Sequence, residues 1–192
     1  MSIYAQIQNL SLKFTDGTEN QSGIQEKAWF IPQSSLKTTG SPKIGNTAGS
    51  ILEITEPHVL EAGKKPILMQ PLYKKSGLKS TLEGEELSKM FKSGVEFFIP
   101  QITADNLGTI AAIKNYRGIL LLKRPGVDNE FIQVGSEGLA ANVTGAEVDF
   151  GTGPTGAVGI KVTFEAYGSM PCYIYKGELP SDKAPSSAPK GN

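Results

Sequence analysis

The stretch from Gly145 to Tyr175 constrains this chain more than any other. Ala146, Val148 and Phe150 alternate with Glu147 and Asp149, the two-residue period of a half-buried strand. Gly151-Thr-Gly-Pro-Thr-Gly156 breaks the pattern with residues that favour turns and, at Pro154, cannot donate to a strand ladder. Val158, Ile160, Val162, Phe164 and Ala166 then resume it, with Lys161, Thr163, Glu165 and Tyr167 pointing the other way. A second turn, Gly168-Ser-Met-Pro171, leads into Cys172-Tyr-Ile-Tyr175. The pattern predicts a three-stranded antiparallel meander with one apolar face and one charged or aromatic face. On that register Glu147, Asp149 and Glu165 share the polar face with Lys161, Thr163, Tyr173 and Tyr175, which makes it locally acidic. A slip of one residue would exchange the two faces.

The rest of the chain has to complete that scaffold. With 192 residues and 39% hydrophobic content it is long enough for one core, expected over residues 1–180. Its 22 glycines and 12 prolines imply many turns, hence a mainly β (α+β) fold. We expect an antiparallel β-sandwich or barrel flanked by one or two short helices, with extended loops and terminal arms.

Leu10, Leu12 and Phe14 alternate and predict a strand, followed by an Asp16-Gly17 turn. Ala28 to Pro32 reads as a short strand stopped by proline. The Ser/Thr/Gly/Lys-rich segment 33–49 is long for a connection and is expected to be a loop or arm. Ser50 to Thr55 and Pro66 to Tyr73 read as strands, the second at a sheet edge because of Pro71. Lys74, Lys75 and Lys79 fall in an expected exposed loop. The capping-box spacing of Ser80 and Glu83, with Leu87, Met90 and Phe91 on one stripe, predicts a helix over 82–93. Val95 to Pro100 is a strand, and Thr103 caps a helix over 104–116 whose face is Leu107, Ile110, Ala111 and Lys114. Ile119 to Leu122 reads as a buried strand, paired through a turn at 125–129 with Phe131 to Val134. The Pro/Ser-rich tail 181–192 cannot bury enough apolar surface to order itself.

Composition narrows the function. Lys+Arg and Asp+Glu both count 19, so the basic excess of a free-standing nucleic-acid binder is missing. One cysteine and one histidine exclude an internal disulfide and a multi-histidine metal site. No signal-like start and no run of about 20 apolar residues is present, so a soluble chain made in a cytoplasm is expected, with no membrane partner. Gly151-x-Gly-x-x-Gly156 matches the dinucleotide fingerprint in letters, but a strand rather than a helix follows it. Cys172 reads as a small buried hydrophobe and His58 as a surface or loop histidine. No catalytic, metal or cofactor set emerges, and a non-enzymatic chain is expected. Tyr167, Tyr173 and Tyr175 suit packing between subunits.

From Val95 onward the order is strand, helix, hairpin, then a glycine-punctuated meander carrying Val162-Thr-Phe-Glu-Ala166 and Tyr173-Ile-Tyr175. This C-terminal half resembles the tail tube (major tail) proteins of tailed bacteriophages. The resemblance implies a virion structural protein that assembles into rings, typically hexameric, stacked into a tube for the passage of DNA. It implies a homo-oligomer in contact with other virion proteins, with Glu147, Asp149, Glu165 and Lys161 facing the lumen. Loops such as 33–49, the segment with Lys74 and Lys75, and both termini would bridge subunits. A head decoration or head–tail connector protein is the alternative within the virion. A ligand- or carbohydrate-binding β-sandwich is the alternative from another class.

Overall fold

The computed structural model describes residues 7, 10–19, 21–128 and 130–180, so the tail 181–192 lies outside it. Among these residues the fold is mainly β, with twelve strands and one α-helix. The first five strands are β1 (Ala28–Pro32), β2 (Leu36–Thr38), β3 (Glu53–Ile54), β4 (Val59–Leu60) and β5 (Ile67–Met69). The hairpin β6 (Gly77–Glu83) and β7 (Met90–Ile99) precedes helix α1 (Ala104–Ile113). There follow β8 (Arg117–Lys123), β9 (Phe131–Val134), β10 (Ala141–Asp149), β11 (Gly159–Gly168) and β12 (Tyr173–Tyr175).

Everything is built out from β8. Its Gly-Ile-Leu-Leu-Leu run is apolar on both faces, the composition of a strand covered on both sides. Leu120 and Leu122 enter one core with Phe30, Phe97, Ile160 and Phe164. Ile119 and Leu121 enter a second core on the opposite face with Ile31, Ile54, Leu60 and Tyr175. Phe164 joins the first core's two sides, its ring centroid 5.3 Å from Phe30 and 5.8 Å from Phe97. Along one edge β8 pairs with β1 from Ala28↔Leu122 to Pro32↔Gly118. A Cβ on Gly118 would collide with the Ile31 carbonyl, so only glycine permits that approach. Along its other edge β8 pairs first with β10, through Ala141 and Asn142, and then with β9.

The sheet therefore branches. One arm runs β9, β12, β3 beneath the second core, and the other runs β10, β11, β7, β6. The ten-stranded sheet does not close within the chain, because β6 and β3 end its path. The predicted β10–β11 hairpin forms in the expected register, Glu147↔Lys161 and Asp149↔Gly159. The third strand of the meander does not: β12 pairs with β9 and, in parallel, with β3.

Other expectations need correcting. Residues 82–93 are not helical: they are the end of β6, the hairpin turn between Glu83 and Met90, and the start of β7. Gly84 and Leu87 take left-handed backbone there (φ 111° and 67°), which ends any helix, and Leu87 is fully exposed. Ser80 spends its hydroxyl across the hairpin on Ser93, at 2.9 Å, not on a helix start. Helix α1 is real and capped, with Thr103 Oγ1 accepting from the Asn106 N–H at 3.2 Å. Its inward face is Ile110 and Ile113, adjoined by Ile102, and the expected Leu107, Ala111 and Lys114 are exposed. Leu10, Leu12 and Phe14 form no strand and stand exposed at 74, 106 and 79%. The segment 33–49 is docked at its start, where β2 pairs with β4, and exposed mainly at its tip.

Candidate functional site

The four strands β10, β11, β7 and β6 present one continuous outer face, and the pairing register says which residues share it. From β10 come Glu147 and Asp149, and from β11 come Lys161, Thr163, Glu165 and Tyr167. Opposite these, β7 contributes Lys92 and Glu96, and β6 contributes Lys79, Thr81 and Glu83. This is the alternation read from the sequence, extended by two strands. The expected lumen-facing residues Glu147, Asp149, Glu165 and Lys161 do lie on one face.

The face is not simply acidic. Lys161 Nζ lies 3.0 Å from Glu96 Oε2, and Lys92 Nζ lies 3.2 Å from Glu165 Oε1. The hydrogen bond and charge of Glu165 hold the Lys92 ammonium above the ordinary lysine range. The charges in the middle of the sheet are thus matched inside the chain. Those at its margins are not: among the described residues Glu147 and Asp149 on β10 form no ion pair, and neither do Lys74, Lys75 or Lys79 at the β6 end. Lys75 instead sits over the Phe98 ring, 4.4 Å from its centroid, and Asp149 accepts from the Gly151 N–H at 2.8 Å.

Both margins also have open backbone. Among the described residues, strand β6 has β7 as its sole neighbour, and β10 beyond Asn142 has only β11. The distal half of β10 is exposed on both faces, so Val148 and Phe150, expected to be covered, are 38 and 71% exposed. Their face is left bare because no described element of this chain reaches past α1 to cover it.

The tyrosines separate. Tyr167 is half exposed on the charged face. Tyr173 packs at the margin of the second core, and Tyr175 is fully buried within it. Tyr175 therefore cannot serve a contact between subunits, and neither it nor Tyr173 belongs to the charged face, because β12 leaves that sheet.

Tyr175 instead stacks on His58, at 4.6 Å and 14° between planes, and His58 is only 2% exposed, not a surface residue. His58 Nδ1 accepts from the Gly40 N–H at 3.0 Å, which places the ring proton on Nε2, donated to Gln133 Oε1 at 2.8 Å. Gln133 Nε2 passes a hydrogen bond to the Gly135 carbonyl, and the Tyr175 hydroxyl accepts from the His58 N–H while donating to the Glu178 carbonyl. Burial pushes the imidazole pKa down, opposed by the Gln133 hydrogen bond. This is a fully satisfied structural network that ties the 39–58 loop to the body. Burial likewise pushes the Cys172 thiol up, away from the thiolate a nucleophile needs.

An open cleft of about 630 Å³ lies beside Tyr73, bounded by Gln25, Lys27, Gln70 and Pro100. No three metal-ligating side chains converge among the described residues. An open groove of about 470 Å³ lies on the charged face, lined by Lys74, Lys75 and Lys79 and, across the sheet, by Gly94, Glu96 and Thr163. Compared with protein-family models, curated proteins and solved structures, the chain matches none of them. The contribution of Lys92 and Glu96 was available in the sequence, since they alternate with Ser93, Val95 and Phe97. The helical reading of 82–93 hid Lys92, while Glu96 fell in the strand expected from Val95 to Pro100.

Proposed function

We propose that this protein is a self-assembling structural subunit, and that it forms rings stacked into a tube of the phage-tail kind through which DNA passes. One observation carries the reading: the four-stranded antiparallel arm of the sheet has a charged outer face and, among the described residues, unpaired backbone along β6 and along β10 beyond Asn142. Exposed edges of that kind are normally blocked in a protein that stays alone. Because four strands alternate in direction, β6 and β10 run in opposite senses. The β6 of one copy then meets the β10 of the next antiparallel, and the pattern repeats without a break around a ring. In such a ring the charged face turns inward. Its in-chain ion pairs leave few free cations to hold phosphate, which suits a duct. If six copies close, as the resemblance implies, their strands at about 4.8 Å spacing span roughly 115 Å of circumference. That leaves a channel on the order of 35 Å across between backbones. The exposed Leu10, Leu12 and Phe14 suit an arm that docks on a neighbouring copy.

Negative-stain imaging and sedimentation of the purified full chain test this. Rings or tubes with an open centre are expected. A chain that remains monomeric at high concentration would overturn the reading and turn attention to the cleft beside Tyr73 as a binding site.

A further inference from the structure

We infer that the seam between neighbouring copies is set by charge: Lys74, Lys75 and Lys79 of one copy engage Glu147 and Asp149 of the next. This rests on the ring reading and adds to it a register and a specificity. The first ground is the distribution of partners. Inside the sheet Lys161–Glu96 and Lys92–Glu165 are matched, whereas among the described residues the β6 margin carries Lys74, Lys75 and Lys79 without ion pairs, against Glu83, and the β10 margin carries Glu147 and Asp149 without them. The second ground is register. Strand β6 offers the edge 77–83, and β10 offers the regular edge 145–149 beyond its contact with β8 and its bulge between Val143 and Gly145. Antiparallel pairing that lays 145–149 along the start of β6 sets Gly77 against Asp149, Lys79 against Glu147 and Thr81 against Gly145. All of these positions lie on the charged face in the register within the chain.

In that register Lys79 and Glu147 are direct cross-strand partners, and Lys74 and Lys75 lie past the end of β6 within reach of Asp149. At the far end Glu83 is brought toward Arg117, which begins β8 beside Asn142. Pairing of β6 with a second β6 across a two-fold axis would leave Glu147 and Asp149 unused. The head-to-tail seam uses both margins.

The test is a charge exchange in the full chain. Variant one carries K74E, K75E and K79E, and variant two carries E147K and D149K. Both change exposed side chains, and far-UV circular dichroism and thermal unfolding check that each remains folded. Each alone sets like charge against like charge, and the concentration needed for rings should rise at least ~10-fold. Mixed one to one they should co-assemble near the wild-type threshold, because each supplies the margin the other lacks. As a second measurement, K79C/E147C in a C172S background should give a ladder of cross-linked oligomers on mild oxidation. Wild type that forms no oligomer overturns the ring and the seam together. Wild type that forms rings while both variants assemble at the same threshold overturns the seam alone. So does normal assembly of variant two beside failure of variant one, the pattern of a two-fold β6 contact.

Discussion

Strands β8 and β10 touch at Ala141 and Asn142, yet they live in opposite environments. Strand β8 is paired along both edges and buried on both faces, with Ile119 to Leu122 at 1% exposure or less. Beyond Asn142, β10 is paired along one edge among the described residues, and beyond Val143 it is exposed on both faces. The described elements complete the first strand and leave the second incomplete. Folding and assembly are thereby assigned to different sheet margins: changes around β8 act on the subunit, and changes around β10 and β6 act on what the subunit joins.

The contrast is broken most severely at Gly118. A side chain there meets the Ile31 carbonyl between two buried strands, so Gly118→Val is expected to prevent folding, with loss of the cooperative thermal transition. Leu121→Ala empties part of the second core and should destabilise by about 2–5 kcal/mol in a urea titration. The same truncation on the open sheet, Val148→Ala, should change the isolated subunit by less than about 1 kcal/mol. Equal effects at Leu121 and Val148 would erase the distinction.

The next effect sharpens the comparison on the β8 side. In the native state the lone pair on His58 Nδ1 is committed to Gly40, and burial keeps the ring neutral, so its pKa lies below the unfolded value of about 6.5. The unfolded chain takes up the proton first on acidification. Stability should then be level above pH 7 and fall as pH drops through 6.5 toward the native pKa, by up to about 1.4 kcal/mol per pH unit. Urea midpoints at pH 7.5 and 5.5 should differ in the native sequence and converge in His58→Gln. Parallel shifts in both would mean that other groups carry the dependence.

Strictly local patterns were legible in the sequence. The alternation of β10 and β11, the apolar run of β8 and the Thr103 cap each depend on residues within a few positions of one another. Contacts between distant segments were not. His58 is buried by Gly40, Gln133 and Tyr175, the last two 75 and 117 positions away, and nothing around Pro57 signals them. Strand β12 leaves the predicted meander because its pairing with β9 and β3 is decided across the fold. The 82–93 segment misled for a different reason: Leu87, Met90 and Phe91 fit a helical stripe, whereas Leu82, Gly84 and Leu87 fit a hairpin turn. The charged face was half legible, since β10 and β11 display it alone and β7 and β6 supply its compensating charges.

The central claim is that the margins of the open sheet are completed by other copies of the chain. Hydrogen–deuterium exchange measured on dilute subunits and on concentrated assemblies addresses it directly. The expected result is that amides in 77–83 and 143–149 gain protection on assembly while those of β8, already slow, do not change. Equally fast exchange of both margins in the assembled material would contradict it.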